Sequence, residues 1–193
     1  MHNISGPIAA EVVDKLQPLE FGHLLDIGGA SGTWTIALLR AVPEAKATLF
    51  DMPSVIPMAE QRIAGAGLSD RVTIVAGDFY TDDLPDGADL AWLGAICHQN
   101  SREQNRALFA KVHKALKDGG VVVIRDVVMD PSHTNPKGGA LFAINMLVGT
   151  EGGGTYTLDE YRQDLCEVGF GEVTLVHRHE FMNSLIRAKK TQK

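Results

Sequence analysis

The sequence predicts an α/β fold, a sheet with helices on both faces, and three observations carry that prediction. Short apolar runs alternate with stretches of helical period along most of the chain. The first three runs each end at or beside an acid and a loop, as strands feeding a common rim do. The last stretch, "GEVTLVHRHEFMNSLIRAKK", holds two alternating runs that suggest an antiparallel pair. With 193 residues the chain fits one domain, 1–193, with a leading helix inside 1–20, and is long enough to bury a real core. Alternation of strand and helix implies a largely parallel sheet.

Taken in order, residues 6–18 read as a helix, with Ile8, Val12, Leu16 and Leu19 on one stripe. "HLLDI" (23–27) is a buried strand, and "TWTIALLRAV" (33–42) a helix stopped by Pro43. "ATLFD" (47–51) is a second strand. Residues 54–67 form a helix in which Ser54 is placed to cap and Pro57 sits in the first turn. "RVTIVAGD" (71–78) and "ADLAWLG" (88–94) are the third and fourth strands. Residues 101–117 are the clearest helix, opened by a capping-box pair, Ser101 and Gln104. "GGVVVIRDVV" (119–128) is apolar enough for a central strand. Residues 137–148 read as a helix, and Thr157 with Glu160 opens another that ends before Gly169.

Composition excludes several classes. Eighteen basic against 24 acidic residues give a net charge of −6, which argues against nucleic acid as a partner, since phosphate binding needs a basic surface. Two cysteines, Cys97 and Cys166, make neither a disulfide framework nor a C-x-x-C pair, and the seven histidines lack zinc-ligand spacing, so no metal site is expected. No signal peptide and no apolar run of membrane-spanning length is present. A cytoplasmic, reduced-compartment domain without a membrane partner is the expectation.

The informative loop is "DIGGASG" (26–32), at the C-terminal end of the first strand. Ligands of α/β sheets bind at this rim, beside the switch point. Gly28, Gly29 and Gly32 permit close backbone approach, and the following helix presents free N–H groups. A dinucleotide fingerprint, G-x-G-x-x-G, fails whether started at Gly28 or at Gly29. An acid at Asp26 accepts from an ammonium group and repels a pyrophosphate, so a cationic, phosphate-free ligand fits better. Asp51 ends the second strand, where an acid holds ribose hydroxyls. Asp78 and Phe79 end the third, placed to accept from an adenine amino group and cover a ring face. Singly, Asp51 and Asp78 read as helix caps or turn residues; three acids on successive strands read as a ligand edge.

The motifs "LLDIGGASG", "TLFDMPSVI", "DRVTIVAGDFY", "HQNSREQN" and "LKDGGVVVIRDVVMDP", extended by "GALFAINMLV" and "TLDEYRQDLCEVGF", resemble the class I S-adenosylmethionine-dependent methyltransferases. Within that class the chain is similar to the catalytic domain of the small-molecule O-methyltransferases that include plant phenolic and bacterial polyketide enzymes. The resemblance implies a Rossmann-like seven-stranded sheet, mostly parallel with an antiparallel last strand. It implies S-adenosylmethionine as cofactor, S-adenosylhomocysteine as product, and a small-molecule acceptor. Asp26, Gly28, Gly29, Ser31 and Gly32 would hold the methionine part, Asp51 and Met52 the ribose side, and Asp78 with Phe79 the adenine.

The resemblance also places the family's catalytic base at His98, in "CHQN". Histidine suits the role because its ordinary pKa of about 6.5 lies near working pH. Asp126, ending the fifth strand, is the carboxylate expected to orient it. The plainer reading of His98 is a residue at the start of the helix that follows. Phe142, Asn145 and Met146, at helical spacing, read either as lining an acceptor pocket or as a packed core face. Gln99 and Asn100 replace the family's usual Asp and Trp, Gly94 stands where many plant members carry lysine, and Thr155 stands where plant members place a second carboxylate. The family's helical dimerisation domain has no counterpart ahead of the first strand beyond one helix. An exposed pocket and apolar surface are therefore expected, favouring a homodimer or a partner domain. Methyl transfer to a small aromatic or polyketide-like hydroxyl is the leading expectation. A non-catalytic S-adenosylmethionine-binding module acting through a partner is the alternative, and a nicotinamide dehydrogenase a third reading that the glycine spacing opposes.

Overall fold

Strands with apolar side chains on both faces need cover on both sides, and the fold supplies it. A computed structural model describes residues 8–191. In chain order it holds α1 (Ala9–Asp14), β1 (His23–Ile27), α2 (Thr33–Ala41), β2 (Lys46–Asp51), α3 (Ile56–Gly65), β3 (Val72–Ala76), β4 (Ala88–Gly94), α4 (Arg102–Ala115), β5 (Leu116–Asp126), β6 (Val128–Met129), α5 (Lys137–Gly149), β7 (Tyr156–Thr157), α6 (Leu158–Glu167), β8 (Phe170–His177) and β9 (Ser184–Lys190).

The main sheet has seven strands in the order β3-β2-β1-β4-β5-β9-β8. Strands β1 to β5 pair in parallel, and β9 lies antiparallel to both β5 and β8. The expected mostly parallel sheet with an antiparallel last strand is present, together with a separate two-stranded ribbon of β6 and β7. Successive residues of a strand face opposite sides, and the core divides accordingly. Leu93 and Ile124 pack with Leu108 and Val112 of α4 and Tyr161 and Leu165 of α6 on one face. Trp92 and Val123 pack with Val12 and Val13 of α1 and Leu38 and Leu39 of α2 on the other. Among the described residues no helix is long and apolar enough to cross a membrane.

The departures from the sequence reading lie at element ends. Helix α1 stops at Asp14, ahead of Pro18, rather than running to residue 18, and positions 6 and 7 lie outside the described residues. Ser54 does not cap α3: the N-cap is Val55, with no side-chain bond, and proline within the first two positions removes one donor that a cap would serve. Strand β3 ends at Ala76 rather than Asp78, because its partner β2 ends at Asp51, level with Ala76. Strand β5 begins at Leu116, which pairs with Ala88 before an irregularity in register. Both capping boxes form as read, at Ser101–Gln104 and Thr157–Glu160.

Two buried acids hold helices. Asp164 on α6 accepts from Arg102 Nε and Nη2 (2.9 and 2.8 Å) and from Arg106 Nη1 (3.0 Å), fastening α6 to α4. Asp26 accepts from the backbone N–H and hydroxyl of Thr35 (3.1 and 2.5 Å), serving the first turn of α2, whose N-cap Gly32 has no side chain to offer. Burial pushes the Asp26 carboxyl up from 3.8 to about 6, the Thr35 bonds opposing this and the Asp51 charge adding to it.

Two outcomes follow for stability. Asp164→Ala, which strands two arginines that are about a third exposed, is expected to cost about 2 kcal/mol in urea unfolding; a loss indistinguishable from zero would show that the α4–α6 link is decorative. For Asp26 the folded-state pKa lies above the unfolded one, so the folded chain binds more protons between pH 4 and 6. Stability therefore falls as pH rises through that window and stays lowered above it, by on the order of 3 kcal/mol. Asp26→Asn lacks this titration, so the stability difference between the variant and the natural chain should change by that order between pH 4 and pH 7. A difference independent of pH contradicts the assignment.

Candidate active site

From β1 the chain moves outward to β2 and β3, then crosses back to place β4 on the other side of β1. The loops after β1 and β4 therefore diverge, and a cavity of about 570 Å³ opens at the rim between them. Gly28, Asp51, Met52, Asp78, Phe79 and Tyr80 line one part of it. Gly94, Ala95, Ile96 and Gln99 line another, with Gly149 and Thr150 from the end of α5. A volume of this size suits a nucleoside-sized ligand.

Gly28 is required by geometry. Its φ is +65°, and an added Cβ would stand 2.4 Å from Ile96 Cδ1, where the β1 and β4 loops meet. Gly28 N–H donates to the Phe50 carbonyl (2.8 Å), fixing the loop against β2. The other loop residues of the motif are packed against the protein. Asp26 is buried against Thr35 and does not line the cavity. Ser31 is buried and accepts from Arg62 Nη1 (2.8 Å), which also donates to Thr33 Oγ1 (2.9 Å). Gly29 lies over Leu49, and Gly32, at φ +74°, lies over Ile63. These residues shape the loop from behind.

The acids at the cavity are held by main-chain donors. Asp51 Oδ2 accepts from Ala30 N–H and Oδ1 from Met52 N–H, both at 2.7 Å. Asp78 Oδ1 accepts from Tyr80 N–H (2.9 Å), and its own N–H donates to Asp82 Oδ2 (2.8 Å). Lys111 on α4 gives its ammonium to the carbonyls of Phe79, Tyr80 and Asp82 (2.9, 2.9 and 2.8 Å), so the loop after β3 is clamped from below. Each carboxylate oxygen has a second lone pair for a ligand hydroxyl or amine.

Beyond the β4 loop, the short helical turn Cys97–Gln99 carries His98. His98 Nδ1 lies 2.9 and 3.1 Å from the two oxygens of Asp126, and the His98 backbone N–H donates to Oδ2 (3.2 Å). Asp126 is 1 % exposed and takes a second main-chain donor, Val127 N–H (2.8 Å). A carboxylate on Nδ1 selects the tautomer that leaves the Nε2 lone pair for an incoming proton. Phe142 packs edge-on against the His98 ring at 4.9 Å, and Phe181 against Phe142 at 5.4 Å.

The three expected acceptor residues divide. Phe142 reaches His98, Met146 is half-buried, and Asn145 is exposed on α5. Neither Asn145 nor Met146 lines the cavity, nor does the helix form a packed core face: Leu141, Ile144, Leu147 and Val148 are all exposed. Thr155 is buried with its hydroxyl donating to Gly139 O (3.4 Å). The sequence reading did not single out Tyr80, Ala95, Ile96, Gly149 or Thr150 as lining residues. Tyr80 was within reach, because it directly follows the Asp78–Phe79 pair. The others carry no chemical signature and are recruited by the crossover and by the end of α5.

A family model described as the O-methyltransferase domain matches residues 1–171. A 3-hydroxy-5-methyl-1-naphthoate 3-O-methyltransferase of Streptomyces sahachiroi is 39% identical over 154 residues, 80% of this chain and 44% of that protein. A tetracenomycin polyketide synthesis 8-O-methyl transferase of Streptomyces glaucescens is 33% identical over 173 residues, 90% of this chain and 51% of that protein. The structure of human N-acetylserotonin methyltransferase in complex with SAM superposes with a TM-score of 0.88 at 25% identity, covering 99% of this chain and 54% of that one. The chain spans about half the length of the curated relatives it matches. With the rim cavity, the strand-end acids and this match over most of its length, the chain belongs to the O-methyltransferase domain family.

Proposed function

We propose that this chain binds S-adenosylmethionine in the rim cavity and serves methyl transfer to a hydroxyl of a small aromatic or polyketide-like acceptor. His98 is the general base and Asp126 the group that orients it. The observation that carries the reading is the His98–Asp126 pair, buried at its acid end, beside a cavity whose walls present Asp51 and Asp78. The residues present fit the cofactor. Gly28 leaves room for its methionine end, Asp51 accepts from ribose hydroxyls, and Asp78 with Phe79 meets adenine. Asp26 supports the loop from beneath. When bound, S-adenosylmethionine supplies an electrophilic methyl carbon.

The chain's own residues supply position and a proton acceptor. His98 Nε2 takes the proton of the acceptor hydroxyl as its oxygen becomes a nucleophile. Asp126 fixes the ring and stabilises the imidazolium that results. Phe142 sets the edge of the imidazole and gives an aromatic acceptor an apolar neighbour. The rest of the rate comes from alignment. The 1-naphthoate and tetracenomycin enzymes among the relatives support the acceptor class. The exposed side chains Leu141, Ile144, Leu147 and Val148 of α5 are the proposed contact face for a second copy or a partner domain. Two free cysteines, Cys97 and Cys166, suit a cytoplasmic setting.

Thermal melting in the presence of S-adenosylhomocysteine or NAD separates the cofactor readings. S-adenosylhomocysteine should raise the melting temperature in proportion to the logarithm of its concentration, and NAD should not; the opposite pattern removes the proposal. For the base, His98→Ala should retain S-adenosylhomocysteine binding while turnover on a panel of phenols and hydroxynaphthoates falls roughly 10²–10⁴-fold, and Asp126→Asn should lower kcat with KM for the cofactor unchanged. Full turnover in His98→Ala would leave transfer to proximity alone. Binding with no product from the natural chain across the panel would favour the non-catalytic module.

A further inference from the structure

The turn that carries His98 is fastened at successive carbonyls. Gln99 N–H donates to Ile96 O (3.1 Å) and Asn100 N–H to Cys97 O (3.3 Å). Asn105 Nδ2 of α4 donates to the same Cys97 carbonyl (3.0 Å), and Gly154 N–H to His98 O (2.9 Å). The Tyr156 hydroxyl donates to Asn100 O. At the centre is the Asn100 side chain, 0 % exposed. Its Nδ2 donates to Asn105 Oδ1 (3.0 Å), and its Oδ1 accepts from the Tyr80 hydroxyl (2.5 Å). Gln99 and Tyr80 both line the rim cavity.

Tyr80 is a different kind of residue from Asn100. It is half-exposed, its ring lies 4.5 Å from Phe79, and it lines the rim cavity with Gln99. Its hydroxyl thus joins the cavity wall to the buried amide that braces the base-bearing turn. We propose that Tyr80 and Asn100 are positioning residues that tie the cofactor-side wall of the cavity to the turn orienting His98. The proposal rests on the reading of His98 as base and of the cavity as the cofactor site. A buried amide with both ends paired contributes modestly to stability, whereas one with a severed end is a buried polar group without a partner and is costly. Loss of the Tyr80 hydroxyl is therefore felt at the turn. A ligand ring against Phe79 and Tyr80 restricts Tyr80, so filling the cavity stiffens the turn before an acceptor arrives. Gln99 and Asn100, the two departures from the family's His-Asp-Trp, are on this view a connected set with Tyr80.

The test uses Tyr80→Phe in the full chain, which keeps the ring and removes only the hydroxyl. Two signals are read by NMR without ligand: amide hydrogen exchange at Gln99 and Asn100, and the His98 Nδ1 proton, assigned by its loss in His98→Gln. Exchange at the two amides should rise about fivefold and the Nδ1 proton should broaden, with β1 amides unchanged. Asn100→Ala should give the same pattern, and the double variant no more than either alone; if Asn100→Ala does not fold, the half-exposed Tyr80 position decides by itself. Added S-adenosylhomocysteine should slow turn exchange in the natural chain and not in Tyr80→Phe. Unchanged exchange and an unchanged Nδ1 signal in ligand-free Tyr80→Phe overturn the proposal, as does equal slowing by S-adenosylhomocysteine in both proteins. Calorimetry with S-adenosylhomocysteine is run in parallel. Absence of binding to the natural chain defeats the cofactor reading, and the ligand-free comparison still decides the link.

Discussion

The parallel pairing of β1 with β4 is the constraint on which the rest of the structure depends. Strands β1, β2 and β3 add outward in one direction, so the chain must return across β1 before β4 can pair. That return sends the loops after β1 and β4 apart at the C-terminal rim and leaves a crevice there. The Gly28 backbone and the Ile96 side chain touch at its base, which is why position 28 has no room for a Cβ. Every residue assigned to cofactor or chemistry is positioned relative to that reversal. Asp51 and Asp78 follow the strands on one side of it, while His98 and Asp126 follow the strands on the other.

The proposed site is built from groups that also serve the fold. Asp51 holds the glycine loop through Ala30 N–H and still lines the cavity. Asp126 caps its own strand end through Val127 N–H and grips His98. Helix α4 gathers these parts: its first turn braces the His98 turn through Asn105, its middle clamps the loop after β3 through Lys111, and its arginines bind α6 through Asp164. A helix packed along its apolar stripe is rigid, so groups attached to it keep their relative positions.

Much of this was legible in the chain. "HLLDI" and "ADLAWLG" form strands with the bounds read for them, because short, mostly apolar segments bounded by turn residues suit a buried strand and are too short for a helix. Both capping boxes form, because their bonds are local. Ser54 misled because the helix begins at Ile56 with Val55 as its N-cap, one residue further along than the cap chemistry suggested. Strand-end position says nothing of which donors a carboxylate will meet, and Thr35, on the next helix, gives Asp26 two. The Tyr80–Asn100 bond joins residues 20 apart on different loops, and no spacing rule reports such a contact.

By itself, then, the sequence determined the fold class, the order of strands and helices, the position of the ligand rim and the types of residue that crowd it, since periodicity, glycines and capping pairs act over a few residues. Only the tertiary structure decided that β9 inserts between β5 and β8, that Asp26 meets Thr35 and Ser31 meets Arg62, and that Tyr80 is joined to the turn carrying His98. Those outcomes depend on which elements pack together and on which donors remain to be satisfied once they do.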